Sequence, residues 1–145
     1  ICEYYKNCSG GGGKTTRLLF KLHNFYRNRL GLRLGFEIPL NVFGKGLHIF
    51  HTGNIIINET SSVGEYCNII GSTCLGSKDG GNGPTIGNHC ELGMNSVVIG
   101  NVKIGNNVYI GAGAVVTKSF EQNGVSLAGV PAKIVASRKD SKKAD

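Results

Sequence analysis

The chain has 145 residues, with 16 Lys and Arg against nine Asp and Glu for a net charge of +7, and 40% hydrophobic content. That length suits one domain with a small appendage, and the absence of any apolar run near the roughly 18 residues of a membrane span, or of a secretory leader, makes a soluble cytoplasmic protein the expectation. Five cysteines, odd in number and without a C-x-x-C pair, speak against a disulfide framework or a thiolate metal module.

Residues 1–35 form a basic N-terminal segment, with Lys6, Lys14, Arg17, Lys21, Arg27, Arg29 and Arg33 opposed by Glu3 alone. The run Gly10 to Thr16 resembles a phosphate-binding loop only superficially, because Cys8 stands where that motif needs its first glycine and no apolar strand precedes it. It reads instead as a flexible joint. From Thr15 to Leu30 the residues Leu18, Leu19, Leu22, Phe25, Tyr26 and Leu30 recur at helical spacing, predicting an amphipathic helix that stops near Gly31. Its expected role is to pack on the first open coil of the repeat region C-terminal to it; a peripheral membrane contact is the alternative, and nucleic acid is not expected, since no recognised module accompanies the charge.

From residue 57 an aliphatic side chain returns every sixth position: Ile57, Val63, Ile69 and Leu75, then, after one eleven-residue step, Ile86, Leu92, Val98, Ile104, Ile110 and Val116. A fixed short period marks a solenoid, whose repeats bury their apolar sides only by stacking. Four places after each aliphatic comes a small or β-branched residue, among them Ser61, Cys67, Thr73, Cys90, Ser96 and Ala114. The two cysteines should then be small core residues on one face of successive coils. Glycine directly follows the aliphatic at Gly64, Gly76, Gly87, Gly93, Gly105 and Gly111, which predicts corners at positive φ. Short strands meeting at three corners give a coil of eighteen residues, with neighbouring rungs about 4.8 Å apart.

Two features depart from the beat. His51 occupies an aliphatic slot, either as a satisfied residue at an irregular first coil or as a functional ring. The stretch Ser77 to Thr85 must leave the coil, because the count resumes beyond it, and such a loop is a common place for ligand contacts. Residues 137–145 carry four basic and two acidic groups and read as a charged flexible tail.

The hexads, together with "HTGNIIINET", "TIGNHCELGMNSVVIGNVKIGNNVYIGAGAVVTKSF" and "LAGVPAKIV", resemble the left-handed β-helix, hexapeptide-repeat acyltransferases, in particular serine O-acetyltransferase and the related polysaccharide O-acetyltransferases. The resemblance spans residues 36–136 and implies an all-β solenoid, a left-handed parallel β-helix with a short N-terminal helix; handedness comes from the family, not from the spacing. It implies acetyl-CoA as co-substrate, no metal, and a homotrimer with active sites at subunit interfaces. By the same resemblance His51 is the general base, a role imidazole suits because it titrates near working pH. Glu37, near the position of the family's aspartate, is the candidate acid partner. Gly93, Ala112, Gly113, Lys118, Ala128, Gly129 and Lys133 match the CoA-binding regions, and Lys78, Asp79 and Asn82 fall in the loop that meets the acceptor.

That loop reads Gly-Gly-Asn-Gly-Pro where the serine enzymes carry His and Arg, which tilts the expected acceptor to a sugar hydroxyl or polysaccharide precursor, with serine as the alternative. Two other readings are a non-catalytic scaffold and a zinc carbonic anhydrase-like protein. The latter needs three converging histidines, whereas His48 and His51 are three apart on an extended segment and only His89 is left.

Overall fold

The computed structural model describes residues 14–137. The joint before Lys14, Cys2 and Cys8, and the tail beyond Ser137 lie outside the described residues. Helix α1 spans Lys14–Leu34, longer than the spacing predicts. Gly31 does not stop it, because Leu32, Arg33 and Leu34 are good helix formers that carry it one more turn. The stop falls instead at Gly35, whose φ of 73° is that of the left-handed residue that commonly ends a helix. Gly31 has another use: a Cβ there would lie 2.7 Å from the Phe36 carbonyl oxygen, so only glycine lets the chain double back this closely.

Fourteen short strands come after the helix: β1 (Phe36–Glu37), β2 (His48–Ile49), β3 (Ile55–Ile57), β4 (Ser62–Val63), β5 (Asn68–Ile69), β6 (Cys74–Gly76), β7 (Thr85–Ile86), β8 (Glu91–Leu92), β9 (Val97–Ile99), β10 (Lys103–Ile104), β11 (Tyr109–Ile110), β12 (Val115–Val116), β13 (Val125–Ala128) and β14 (Lys133–Ser137). They form three sheets, ordered β1-β3-β6-β9-β12, β10-β7-β4 and β14-β13-β11-β8-β5-β2. Every pairing is parallel except β13 with β14. Val97 pairs with Val115 and Glu91 with Tyr109, each eighteen residues on, the expected coil length. Across the 77–84 excursion the step grows to twenty-three, as in Cys74 with Val97. The solenoid makes about five turns.

The aliphatic beat fills the interior: Ile57, Val63, Ile69, Leu75, Ile86, Leu92, Val98, Ile104, Ile110 and Val116 are all buried. So are the small-slot residues Ser61, Cys67, Thr73, Cys90, Ser96 and Ala114, which complete each turn without overfilling it. Cys67 and Cys90 stack on successive coils, the Cys90 amide donating to Cys67 Sγ at 3.4 Å and the Cys67 thiol donating to the Gly87 carbonyl at 3.2 Å. The Cys90 thiol beside it lowers the Cys67 pKa to about 7, against the opposing effect of burial.

The hexad glycines have a different purpose from the one their position suggests. None of Gly64, Gly76, Gly87, Gly93, Gly105 and Gly111 has a positive φ; that conformation falls two residues later, at Tyr66, His89, Asn95, Asn107 and Gly113. What most of these glycines provide is room: a Cβ on Gly87 would come within 2.7 Å of the Gly105 carbonyl carbon, and one on Gly93 within 2.6 Å of the Ala112 nitrogen. The corner between the second and third sheets is further tied by an asparagine ladder. Asn88 Oδ1 accepts from the Glu65 amide, Asn106 Oδ1 from the Asn88 amide and Asn123 Oδ1 from the Asn106 amide, at 2.8, 2.8 and 2.7 Å.

The apolar stripe of helix α1 is largely exposed, not packed as expected. The half-buried residues of the helix, Thr16, Phe20, His23, Asn24, Arg27, Gly31 and Leu34, fall on one face, whereas Leu18, Leu22, Phe25, Tyr26 and Leu30 are exposed. Apart from Leu30 and Leu32, which line the groove beside the first strand, the apolar stripe does not cover the first coil. A groove of about 800 Å³, lined by residues including Arg27, Leu30, Leu34, Phe36, Glu37 and Ile38, separates the end of the helix from the first strand.

Candidate active site

His51 lies at the corner between the third sheet and the first, after β2 and before β3. Its amide donates to the Ile70 carbonyl at 3.1 Å, which fixes the backbone, while the side chain stays exposed. The next coil puts Gly71 against it: a Cβ built on Gly71 would be 3.4 Å from His51 Cβ and 3.6 Å from Met94 Cε. The same corner continues through Gly93, Met94, Ala112 and Gly113 to Gly129, tied by the Gly93 amide to Ile110 O at 2.7 Å and the Gly113 amide to Met94 O at 2.8 Å. Among the sequence candidates, then, His51, Gly93, Ala112, Gly113, Ala128 and Gly129 share one column, with His51 at its foot and Ala112 about 14 Å above at the usual rung spacing. Small residues leave the backbone groups of this ridge open to a long, thin ligand.

The other candidates lie elsewhere. Lys133 opens β14, opposite Ala128 and so near the top of that column. Lys118 lies at the corner between the first and second sheets, its ammonium 5.4 Å from the Phe120 ring centroid. Lys78, Asp79 and Asn82 belong to the excursion at that same corner. Two hydrogen bonds root the excursion: the Gly83 amide donates to Thr60 Oγ1 at 2.7 Å, and Asn58 Nδ2 donates to Ser77 Oγ at 3.4 Å. The first sheet thus has the His51 column along one edge and the loop along the other, about 15 Å apart for five extended residues.

Glu37 sits on β1, exposed and lining the groove under α1. Among the described residues neither the His51 ring nor the Glu37 carboxylate makes a hydrogen bond or an ion pair, so the structure does not join the two as a dyad. The His48 ring is tilted by 38° against that of Phe50, 4.2 Å between centroids, and His89 lies parallel to Tyr66 at 5.4 Å. Among the described residues no three His, Cys, Asp or Glu side chains gather into a metal-binding group. Sequence reasoning missed Gly71, which lies against His51, and Met94, the next residue up the ridge. They could have been found by stepping from residue 51 through the coil offsets.

A parallel three-sided solenoid with an accessible imidazole at the foot of a corner column of small residues has the build of a hexapeptide-repeat transferase. The chain belongs to that family: residues 83–118 match the family model described as bacterial transferase hexapeptide (six repeats). It is similar to the serine acetyltransferase of Synechococcus elongatus, 36% identical over 108 residues that make up 72% of this chain and 44% of the relative. Among solved structures it resembles Neisseria gonorrhoeae serine acetyltransferase, at 33% identity and a TM-score of 0.71 over 83% of this chain and 48% of that one. It also resembles the serine acetyltransferase of Brucella abortus in complex with coenzyme A, at 28% identity and a TM-score of 0.63 over 68% of this chain and 40% of that one. These likenesses bear out the left-handed β-helix with one N-terminal helix. The chain spans about half the length of the curated relatives it matches.

Proposed function

We propose that this chain is an acetyl-CoA-dependent O-acetyltransferase working by direct transfer, with His51 as general base. The observation that carries the reading is the shared column: an exposed imidazole whose ring is free of internal partners, below a ridge of Gly93, Ala112, Gly113 and Gly129 along which the pantetheine arm of CoA would lie. The imidazole takes the proton of the acceptor hydroxyl as its oxygen attacks the thioester carbonyl; the carbon–sulfur bond then breaks, and the imidazolium returns the proton to the departing thiolate. Such catalysis is worth roughly a hundredfold to ten-thousandfold. Lys133, near the top of the ridge, and Lys118 would meet the nucleotide phosphates as point charges.

A site at the junction of two copies, in a trimer, is supported by the sheet geometry. Reacting atoms must approach to about 3–3.5 Å, yet the loop bearing Lys78, Asp79 and Asn82 lies across the sheet from His51 in one chain. A neighbour's loop reaches the column where the chain's own does not. Because neither group bonds the other within the chain, Glu37 is proposed to orient His51 only weakly, and Glu37→Gln should cost less than tenfold in kcat/KM.

For the acceptor, the relatives named serine acetyltransferases favour L-serine over the sugar hydroxyl that the loop sequence suggests. A sugar acceptor is kept as the second reading, on the observation that this loop has neither His nor Arg. Incubation with acetyl-CoA and either L-serine or a panel of sugars and nucleotide sugars, followed by mass analysis of the products, separates the two. Transfer to neither, with no affinity for CoA, would refute the enzyme reading and leave a scaffold.

A further inference from the structure

Helix α1 meets the solenoid at its C-terminal end, where Gly31 lies against the Phe36 carbonyl and the Gly53 amide donates to the Leu34 carbonyl, and its apolar stripe is largely exposed. Leu18 is 68% exposed, Leu22 48%, Phe25 59%, Tyr26 62%, Leu30 57% and Leu32 86%. Its sequence KTTRLLFKLHNFYRNRLGLRL holds six cations and no acid, and among the described residues none of those six is paired with a carboxylate. At 100° per residue, Arg29 and Arg33 project from within the stripe itself, between Phe25 and Leu32 and beside Tyr26 and Leu30.

We propose that this stripe docks the protein onto the surface of an anionic lipid bilayer. The apolar side chains would enter the boundary between headgroups and acyl chains, with Phe25 and Tyr26 at the level that aromatic rings favour. Arg29 and Arg33 have long enough stems to stay in the stripe and still carry their guanidinium groups up to lipid phosphates. The same two residues argue against a second copy as the occupant, since pairing two stripes would press unpaired like charges together in a dry contact, where desolvation is costly. The contact is peripheral: no helix among the described residues is long and apolar enough to cross a membrane.

Flotation of the whole chain with phosphatidylcholine vesicles, with and without phosphatidylglycerol, tests this. Binding is expected only with phosphatidylglycerol and should weaken as salt is added. The double variant R29Q/R33Q should lower the partition coefficient roughly thirtyfold, at about fivefold per cation near an anionic surface. L22S/F25S, at exposed positions that leave the core intact, should lower it by at least about tenfold. No binding to either vesicle, equal binding to both, or binding untouched by both variants would overturn the proposal. So would light scattering in which L22S/F25S reduces the mass of the assembly, because the stripe would then be a contact between copies.

Discussion

Replacing Gly87 by alanine tests whether the hexad glycines exist for room or for φ. The new Cβ would lie 2.6 Å from Asn106 Oδ1 and 2.7 Å from both the carbon and the oxygen of the Gly105 carbonyl, two of them backbone atoms of the coil above that cannot swing aside. Relief requires the two coils to part locally, and overpacking of this kind costs about 1–3 kcal/mol. Parting also stretches the Gly87 amide bond to Ile104 O, now 3.0 Å, and displaces Asn106 Oδ1 from the Asn88 amide, now 2.8 Å, at about 1 kcal/mol for each bond weakened. The sum, about 3–5 kcal/mol, is a large part of the roughly 5–15 kcal/mol that a domain has to lose. Gly113→Ala is the control, because Gly113 has a φ of 68° but nothing within 4 Å of its would-be Cβ. It should cost only the left-handed penalty of about 1–2 kcal/mol. In urea denaturation, with a slope of about 2 kcal/mol per molar, Gly87→Ala should lower the midpoint by about 1.5–2.5 M and Gly113→Ala by about 0.5–1 M. If Gly87→Ala unfolds within experimental error of the wild type while Gly113→Ala does not, the close-approach account is wrong.

Three other outcomes are expected. His51→Gln should lower kcat for acetyl transfer by about a hundredfold to ten-thousandfold with the urea midpoint unmoved, since the ring is exposed and makes no internal bond; retained activity would move the general base elsewhere. Asn106→Ala removes the acceptor of the Asn88 amide at a part-exposed corner and should cost about 1 kcal/mol in the same denaturation assay, whereas Asn106→Asp, which keeps an acceptor, should cost less. Cys67 ionises more readily in the folded chain than in the unfolded one because of Cys90, so between pH 7 and 9 the folded state binds fewer protons and gains stability as pH rises. The stability difference between wild type and Cys90→Ala should therefore widen from pH 7 to 9, and a flat difference would show that the Cys90 thiol does not set the Cys67 pKa.

The interior was the most legible part of the sequence, because one rigid repeat dictates which side chains point inward: residues 57 to 116 could be assigned by counting, and the eleven-residue step marked the excursion. Glycine was harder to read, since the same residue answers two demands, positive φ and close backbone approach, and only coordinates show that Gly93 meets the second while Asn95 meets the first. For α1 the spacing defined an apolar stripe but not the direction it faces; direction depends on where Gly35 turns the chain and how Gly31 lets Phe36 approach. The position of His51 is countable, whereas Gly71 and Met94 lie one and two coils away, outside any local pattern around it. Glu37 is legible only by likeness to a motif one residue longer, and its place beside the groove below α1 needs coordinates.

The last strand has a consequence for self-assembly. Each rung but one offers the next a strand running the same way, so a bare final coil would be a template on which another solenoid could seat itself and extend without limit. β14 turns back across β13 in the opposite direction, with all five of its residues exposed. An incoming copy on that side meets a reversed edge out of phase with its own first rung, and head-to-tail growth into a fibre is blocked at that sheet.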